Sequence, residues 1–475
     1  MTTTSALPLC VDLDGTLVRT DTLVEGLLAL AGTMRFATLL GAFSGGRAAL
    51  KARVARAAPP DPTLLPYNAP LLAYIREQRA AGRRIVLATA ATEAVAQAIA
   101  THLGLFDEVI ASTPSHNLKG RAKADALVAR FGRGGFAYAG DARADLAVWA
   151  EAGAAVLVDV AATVAARVVV PVERRISVRP SLAPALLRAM RPHQWIKNLL
   201  VFVPILTANA LGNWPSWQGG LLAFAAFGAA ASAIYLVNDL LDLAADRAHP
   251  NKRLRPFAAG DASAEAGIVL AAVLLVLAGV LGVVAGIAPV VAAYAGTSLA
   301  YSLWLKRLPL VDVFALAGLF TIRLFGGGAA TGHALSLWLL AFASFLFLSL
   351  ALVKRVAEVM DSTARGVSSV AGRGYGPNDL VILQLFGVCA AFASSLVLAL
   401  YVQSEATGGR FAAPGLLWGI VPLVLLWNCR IWLSTARGYM HYDPILYAAR
   451  DRVTWAISLA VVAVMLAARA GFEVG

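Results

Sequence analysis

The chain has 475 residues, 59% of them hydrophobic and only 14% charged. That balance excludes a disordered segment and a wholly water-soluble globular protein, and it predicts a chain that spends much of its length in a bilayer. The net charge of +12 would suit nucleic acid. However, Lys and Arg gather in one linker and in alternate loops without aromatic interleaving, so anionic lipid and phosphorylated substrates are the expected partners and nucleic acid is not.

Residues 1–170 carry charges at ordinary soluble density and are expected to form one domain. A basic juxtamembrane linker (171–190) and a membrane domain (191–475) are expected to follow. The stretch "MTTTSALPLCVDLDGTLV" has no basic n-region or cleavage site, so no signal peptide is expected and the first domain is placed in the cytoplasm. Cys10, Cys389 and Cys429 have no metal or disulfide spacing and are read as ordinary buried residues.

"LPLCVDLDGTLV" (7–18) reads as a buried strand ending in Asp12 and Asp14, whose spacing of two puts both carboxylates on one side of the strand end. "RRIVLATAA" (83–91) is a second strand, ending near Thr89. "NLKGRAKADAL" (117–127) supplies Lys123, and "GFAYAGDARADLAVW" (135–149) is a strand followed by Asp141 and Asp145. Strands alternating with helical stretches predict a doubly wound α/β domain, whose ligands sit at the carboxyl ends of the strands. There Asp12 can attack phosphorus and Asp14 can protonate the leaving alcohol. Thr89 and Lys123 can hold phosphoryl oxygens, and Asp12, Asp141 and the backbone carbonyl of Asp14 can bind Mg²⁺.

These four elements, in this order, resemble the haloacid dehalogenase (HAD) superfamily over residues 8 to 165. The resemblance implies a Rossmannoid phosphatase-like domain with Asp145 in a supporting role and a helical cap over the site, at about 17–68. The competing reading is a HAD-like domain that has lost activity and serves as an interaction module.

From Trp195 onward, apolar runs predict nine transmembrane helices, near 195–212, 217–240, 265–286, 288–304, 309–330, 336–356, 380–402, 414–434 and 453–471. The loops after the even spans hold nearly all the Lys and Arg. By the positive-inside rule these loops and the first domain face the cytoplasm, which predicts a multi-pass protein of the cytoplasmic (inner) membrane.

The first cytoplasmic loop opens with "YLVNDLLDLAADRAHPNKRLRPFAAG" (235–260). At about 100° per residue, Asn238, Asp242 and Asp246 share one helical sector with Asp239 at its edge. Crowded carboxylates repel unless a cation lies between them, and hard oxygen ligands suit Mg²⁺ carrying a substrate phosphate. The alternative is a solvated helix end paired with the Lys and Arg that follow. Asp312 and Arg323 fall in or beside the fifth span, where a charge suggests function, although a paired structural role for Arg323 stays open.

The membrane region (187–470) resembles the UbiA superfamily of intramembrane prenyltransferases, whose first Asp-rich motif matches Asn238, Asp239, Asp242 and Asp246. Where typical members have a second acid-rich motif, "YSLWLKRLPLVDVFALAGLFTIRLFGGGAATG" offers Asp312 alone. "RPHQWIKNLLVFVP" (191–204), "YSLWLK" (301–306), "KR" followed by Glu358, and "MHYDPILYAARDR" (440–452) are similar to decaprenyl-phosphate phosphoribosyltransferases. That resemblance implies 5-phosphoribosyl 1-diphosphate (PRPP) as donor and a polyprenyl phosphate as acceptor. Lys252, Arg255 and Lys306 are then candidates to hold phosphates, with Lys197, Tyr301, Arg323, Lys354 and Arg355 as further ones, and each base has membrane-headgroup anchoring as its alternative.

A HAD domain on the same side could remove the ribose 5-phosphate, giving polyprenyl-phosphoribose for envelope glycans. Two rivals remain: a prenyltransferase acting on an aromatic or other acceptor beside an independent HAD domain, and a non-catalytic transporter or scaffold. Homo-oligomerisation is left open.

Overall fold

The computed structural model describes residues 7–33, 47–113, 116–366, 373–404, 411–440 and 443–470. The chain divides into two compact units: Met1–Met190 with Tyr235–Ala271, and Arg191–Ile234 with Ala272–Gly475.

In the first unit, six strands form one sheet: β1 (Leu9–Val11), β2 (Ile85–Thr92), β3 (Glu108–Ser112), β4 (Ala137–Gly140), β5 (Ala154–Val158) and β6 (Val172–Ile176). Their order is β3-β2-β1-β4-β5-β6 and every pairing is parallel. Parallel strands are covered on both faces, and alternation decides which residue meets which cover. Leu9, Val11, Leu87 and Val156 enter one core, while Cys10, Val86, Ala88, Tyr138 and Leu157 enter the other. The order reverses direction at β1, so the carboxyl ends of β1 and β4 flank the crevice where such sheets bind ligands.

The stretch expected to form the cap contains two helices, Thr22–Gly32 and Arg47–Ala57, between β1 and β2; its residues 34–46 lie outside the described residues. Asp21 starts the first helix by accepting from the amides of Leu23 and Val24 at 2.9 and 3.1 Å. Gly26 lets the second helix close on it, since a Cβ there would lie 2.4 Å from Val54 Cγ1.

Among the described residues, seven helices are long and apolar enough to cross a membrane, where nine were expected: Trp214–Leu241, Ala264–Val284, Val311–Thr331, Leu337–Ala364, Pro377–Gln403, Pro414–Ala436 and Arg452–Ala470. The two differences have local causes. The run at 195–212 is a 3₁₀ segment, Pro192–Phe202, followed by a short helix, Val203–Thr207, with Pro204 at its start. A proline inside a continuous α-helix would remove a donor and clash with the preceding turn. The run at 288–304 forms a helix of 16 residues, Ala288–Leu303. That is about 24 Å, short of a hydrocarbon core of about 30 Å.

Within the second unit, Gly327 admits the 3₁₀ segment to close range, because a Cβ there would stand 2.4 Å from the Val201 carbonyl oxygen. The cysteine expectation holds for Cys10 alone. Cys389 and Cys429 are exposed on two spanning helices, whose outer faces meet lipid rather than water and can carry apolar or weakly polar side chains at no cost.

Candidate functional site

The first unit contains two clusters of functional groups. Around the carboxyl ends of β1 and β4, Asp12 accepts Lys123 Nζ at 2.8 Å. Lys123 also donates to the Tyr138 hydroxyl at 2.8 Å, which in turn donates to Asp145 Oδ1 at 3.0 Å. The second Asp145 oxygen accepts the amides of Asp141 and Ala142 at 3.2 and 3.0 Å, fixing the turn after β4. Thr16 holds Asp141 through a 3.0 Å hydrogen bond. Gly15, at φ +81°, is required beside it, since a Cβ would sit 2.3 Å from Asp141 Oδ2.

Asp12, Asp141 and Asp145 each offer an oxygen within 4.8 Å of the others. Burial, followed by the charges of Asp145 and Asp12, raises Asp141 to about 7. Three carboxylates held this close fit a divalent cation, which would relieve their repulsion. Because both Asp145 oxygens already accept hydrogen bonds, Asp12 and Asp141 are the freer donors.

Asp14 has a different environment. Its Oδ1 accepts the Thr22 amide at 2.9 Å, and burial, with the charges of Asp21 and Asp12, raises it to about 7. A cavity of about 20 Å³ beside it is lined by Thr22, Lys51, Val54, Ala91 and Thr92, room for about one water. Thr89 is fully buried on β2 and its hydroxyl accepts the Ala91 amide at 2.9 Å. Tyr138, Thr16 and Lys51 were not anticipated. Tyr138 occupies a core-facing strand position that reads as packing, and Lys51 belongs to the cap; its ammonium reaches the Ala90 carbonyl at 2.6 Å.

The second cluster is the acid-rich helix end. The helix Trp214–Leu241 breaks at Asp242 and resumes at Leu243–Ala248. The i to i−4 bonds from Asp242 to Asn238 (2.9 Å) and from Asp246 to Asp242 (2.8 Å) run through the break. Arg255 Nη1 lies between Asp239 (3.2 Å) and Asp246 (2.7 Å), both buried. Burial raises the Asp246 carboxyl despite that guanidinium. Asn238 Oδ1 is buried and has no hydrogen-bond partner among the described residues. Asn238 Oδ1 and the carboxylates of Asp239, Asp242 and Asp246 are all oxygen donors, the type Mg²⁺ takes, and Arg255 holds the position between Asp239 and Asp246 in this structure. Lys252 is exposed on the 3₁₀ turn Lys252–Leu254.

Among the described residues of the second unit, the expected site residues Asp312, Arg355, Arg323, Lys197 and Lys354 fall in three polar groups. Asp312 is fully buried, pairs with Arg355 at 2.5 Å and accepts the Tyr375 hydroxyl at 2.5 Å. Arg355, equally buried, also pairs with Glu358. Arg373 lies 3.4 Å from Glu358 and donates to the Tyr301 hydroxyl at 2.7 Å. Arg323 donates to Asn198 and to the Tyr294 hydroxyl, both at 2.8 Å, with its guanidinium carbon 4.6 Å from the Tyr294 ring centre. The structure thus places Asp312, Arg355 and Arg323 in internal networks, with Arg355 Nε and the Asn198 amide nitrogen left without a hydrogen-bond partner among the described residues.

Lys197 has a different setting, 2.6 Å from Asp443, with Lys354 3.8 Å from the same oxygen. Burial alone would raise Asp443, but the two ammonium groups outweigh it and hold the carboxyl below its usual range. Two cations facing one carboxylate leave one positive charge that the carboxylate does not neutralise. Asp443 was not anticipated, although Asp before Pro at a helix start is a recognisable cap, and its Oδ1 does accept the Ile445 amide at 3.2 Å. Lys306 is half-buried on the turn Leu305–Arg307.

Residues 199–437 match the profile of the UbiA prenyltransferase family, and residues 25–149 match that of haloacid dehalogenase-like hydrolases. The chain is 37% identical to "Uncharacterized protein y4nM" of Sinorhizobium fredii, over 95% of this chain and 89% of that one. It is 35% identical to nodulation protein NoeC of Azorhizobium caulinodans, over 55% of this chain and 86% of that one. It is also 38% identical to the decaprenyl-phosphate phosphoribosyltransferase of Corynebacterium glutamicum, over 38% of this chain and 56% of that enzyme.

Proposed function

The chain belongs to the UbiA prenyltransferase family and carries a haloacid dehalogenase-like hydrolase domain ahead of its membrane helices, and on that premise we propose a two-step enzyme of the cytoplasmic membrane. The membrane part transfers 5-phosphoribosyl from PRPP to a polyprenyl phosphate. The hydrolase domain, on the cytoplasmic side, then removes the 5-phosphate, giving polyprenyl-phosphoribose for envelope glycan synthesis.

The observation that carries this reading is the state of Asp312. Its charge is taken up by Arg355 and Tyr375, which favours the acid-rich end at 238–246, rather than Asp312, as the place for a metal-bound diphosphate. The excess positive charge of Lys197 and Lys354 over Asp443 suits an acceptor that is itself anionic. The similarity to an enzyme named decaprenyl-phosphate phosphoribosyltransferase supports the same donor and acceptor.

Asn238, Asp239, Asp242 and Asp246 would hold Mg²⁺, which when bound supplies neutralisation of the departing diphosphate. The lipid phosphate, already ionised, needs no general base; its oxygen attacks ribose C1 as the bond from C1 to the diphosphate oxygen breaks. Lys252, Arg255 and Lys306 steady the remaining phosphate charges.

In the hydrolase domain, Asp12 attacks the phosphorus of the 5-phosphate and Asp14 gives its proton to the leaving ribose oxygen. Asp14 then takes a proton from the water that releases phosphate. Thr89 and Lys123 hold the phosphoryl oxygens, and Asp12 and Asp141 would hold the domain's own Mg²⁺.

The test is to supply full-length protein with labelled PRPP, Mg²⁺ and polyprenyl phosphate and extract the lipid. Asp12→Asn is expected to accumulate the 5-phosphorylated lipid and Asp242→Asn to make no lipid-linked ribose. Inertness toward PRPP with turnover of a prenyl diphosphate would replace this reading with ordinary prenyl transfer, and a dephosphorylated product from Asp12→Asn would remove the second step.

A further inference from the structure

Beyond the two reactions, the first unit joins the hydrolase cap to the acid-rich turn through a buried clamp. Arg247, next to Asp246 in sequence, donates from Nη1 and Nη2 to the two oxygens of Glu25 at 2.8 and 2.5 Å. Glu25 lies in the first turn of cap helix Thr22–Gly32. The side chains are 7% and 10% exposed, so water screens the pair little. The third guanidinium nitrogen, Nε, donates to the Ala258 carbonyl at 3.0 Å. Arg247 therefore ties the turn carrying Asp242 and Asp246 to both the cap and the far end of its own loop.

A second brace secures that far end. Arg19 pairs with Asp261 at 2.9 Å and donates to the Ala259 carbonyl at 3.1 Å, while Arg188 reaches Asp261 at 3.1 Å. Gly32, at the cap helix's other end, lies so near the Leu241 carbonyl that a Cβ would come within 2.9 Å of its oxygen. Between these contacts the surfaces do not fill the space. A cavity of about 170 Å³ is walled by Leu28, Leu65, Leu240 and Leu243, with Glu25 and Arg247 among its lining. Apolar packing with that much slack does not fix an orientation, whereas a bidentate pair does.

We propose that Glu25 is a positioning residue for the acid-rich turn, so that the cap of the hydrolase domain sets the geometry of Asp242 and Asp246 through Arg247. This rests on the reading that the turn binds a metal-bound diphosphate. It adds that the fused hydrolase domain is part of the transferase's working structure.

Three measurements on the full-length protein test it. Glu25→Gln is expected to raise the KM for Mg²⁺ and PRPP about ten- to a hundredfold with a smaller change in kcat, the scale of an ångström-level misplacement. Hydrolysis of p-nitrophenyl phosphate should stay within about twofold, as for a change away from the reacting groups. Glu25→Arg combined with Arg247→Glu should recover most of the lost transfer.

Mn²⁺ binding followed by electron paramagnetic resonance, in an Asp12→Asn/Asp141→Asn background, should weaken on adding Glu25→Gln, a result independent of which donor is used. Unchanged transfer and Mn²⁺ binding in Glu25→Gln would overturn the proposal. So would equal losses of transfer, phosphatase activity and melting temperature, which mark mere unfolding. If the unaltered protein forms no lipid-linked ribose while Glu25→Gln still weakens Mn²⁺ binding, the donor assignment has failed and the clamp has not.

Discussion

Asp14 lies under the cap with the Thr22 amide on its carboxylate, and burial together with Asp21 and Asp12 raises it to about 7. A general acid must carry its proton, so phosphatase turnover of an alkyl phosphate is expected to fall as pH rises through about 7. Asp14→Asn should remove that limb and lower the rate about 10²- to 10⁴-fold. The linkage to stability has the same sign. A carboxyl raised in the fold favours the protonated state, so its contribution is present below the ordinary carboxylate range and is lost as pH rises through about 7. Without Mg²⁺, Asp14→Asn should therefore melt higher than the unaltered protein in mildly alkaline buffer, as a thermal scan across pH would record.

Among the elements, the helices Val311–Thr331 and Leu337–Ala364 are joined by a charge pair that has no access to water. Asp312 and Arg355 are both fully buried and 2.5 Å apart. Asp312→Asn leaves Arg355 with Glu358 as its remaining counter-charge, so the loss is expected at about 1.5–3 kcal/mol, the scale of a hydrogen bond to a charged group, while the apolar pair Asp312→Leu with Arg355→Met should recover part of it. Denaturant midpoints in detergent check both. The same reasoning separates Arg323 from Lys197. The guanidinium of Arg323 has partners on Asn198 and Tyr294, whereas Lys197 shares a single carboxylate with Lys354 and retains charge to offer a ligand.

For the whole molecule, a multi-pass membrane enzyme fused to a hydrolase domain carries, among the described residues, the carboxylates Asp12, Asp141 and Asp145 in one cluster and Asp239, Asp242 and Asp246, with the amide of Asn238, along the acid-rich helix end. Chelation with EDTA is expected to stop both transfer and phosphatase activity, and added Mg²⁺ to restore both. If either activity survives chelation, the corresponding cluster does not depend on a metal.

The amino-acid sequence by itself determined the two-part architecture, because buried parallel strands and membrane spans are both written as apolar runs whose length and period are local properties. It also singled out Asp12, Asp14 and Asp141 as candidates, polar groups at the ends of such runs, and the helical spacing of Asn238, Asp242 and Asp246, which persists through the break at Asp242; Thr89 and Lys123 are candidates that the fold buries. Pairings across the chain were decided by tertiary structure. Glu25 and Arg247 lie 222 positions apart, Asp312 finds Arg355 on the next spanning helix, and Tyr138 bridges Lys123 to Asp145 from a strand position that reads as packing. Whether a charge is an internal counter-ion or a ligand depends on which opposite charge the fold brings to it, and at such separations no local pattern carries that information.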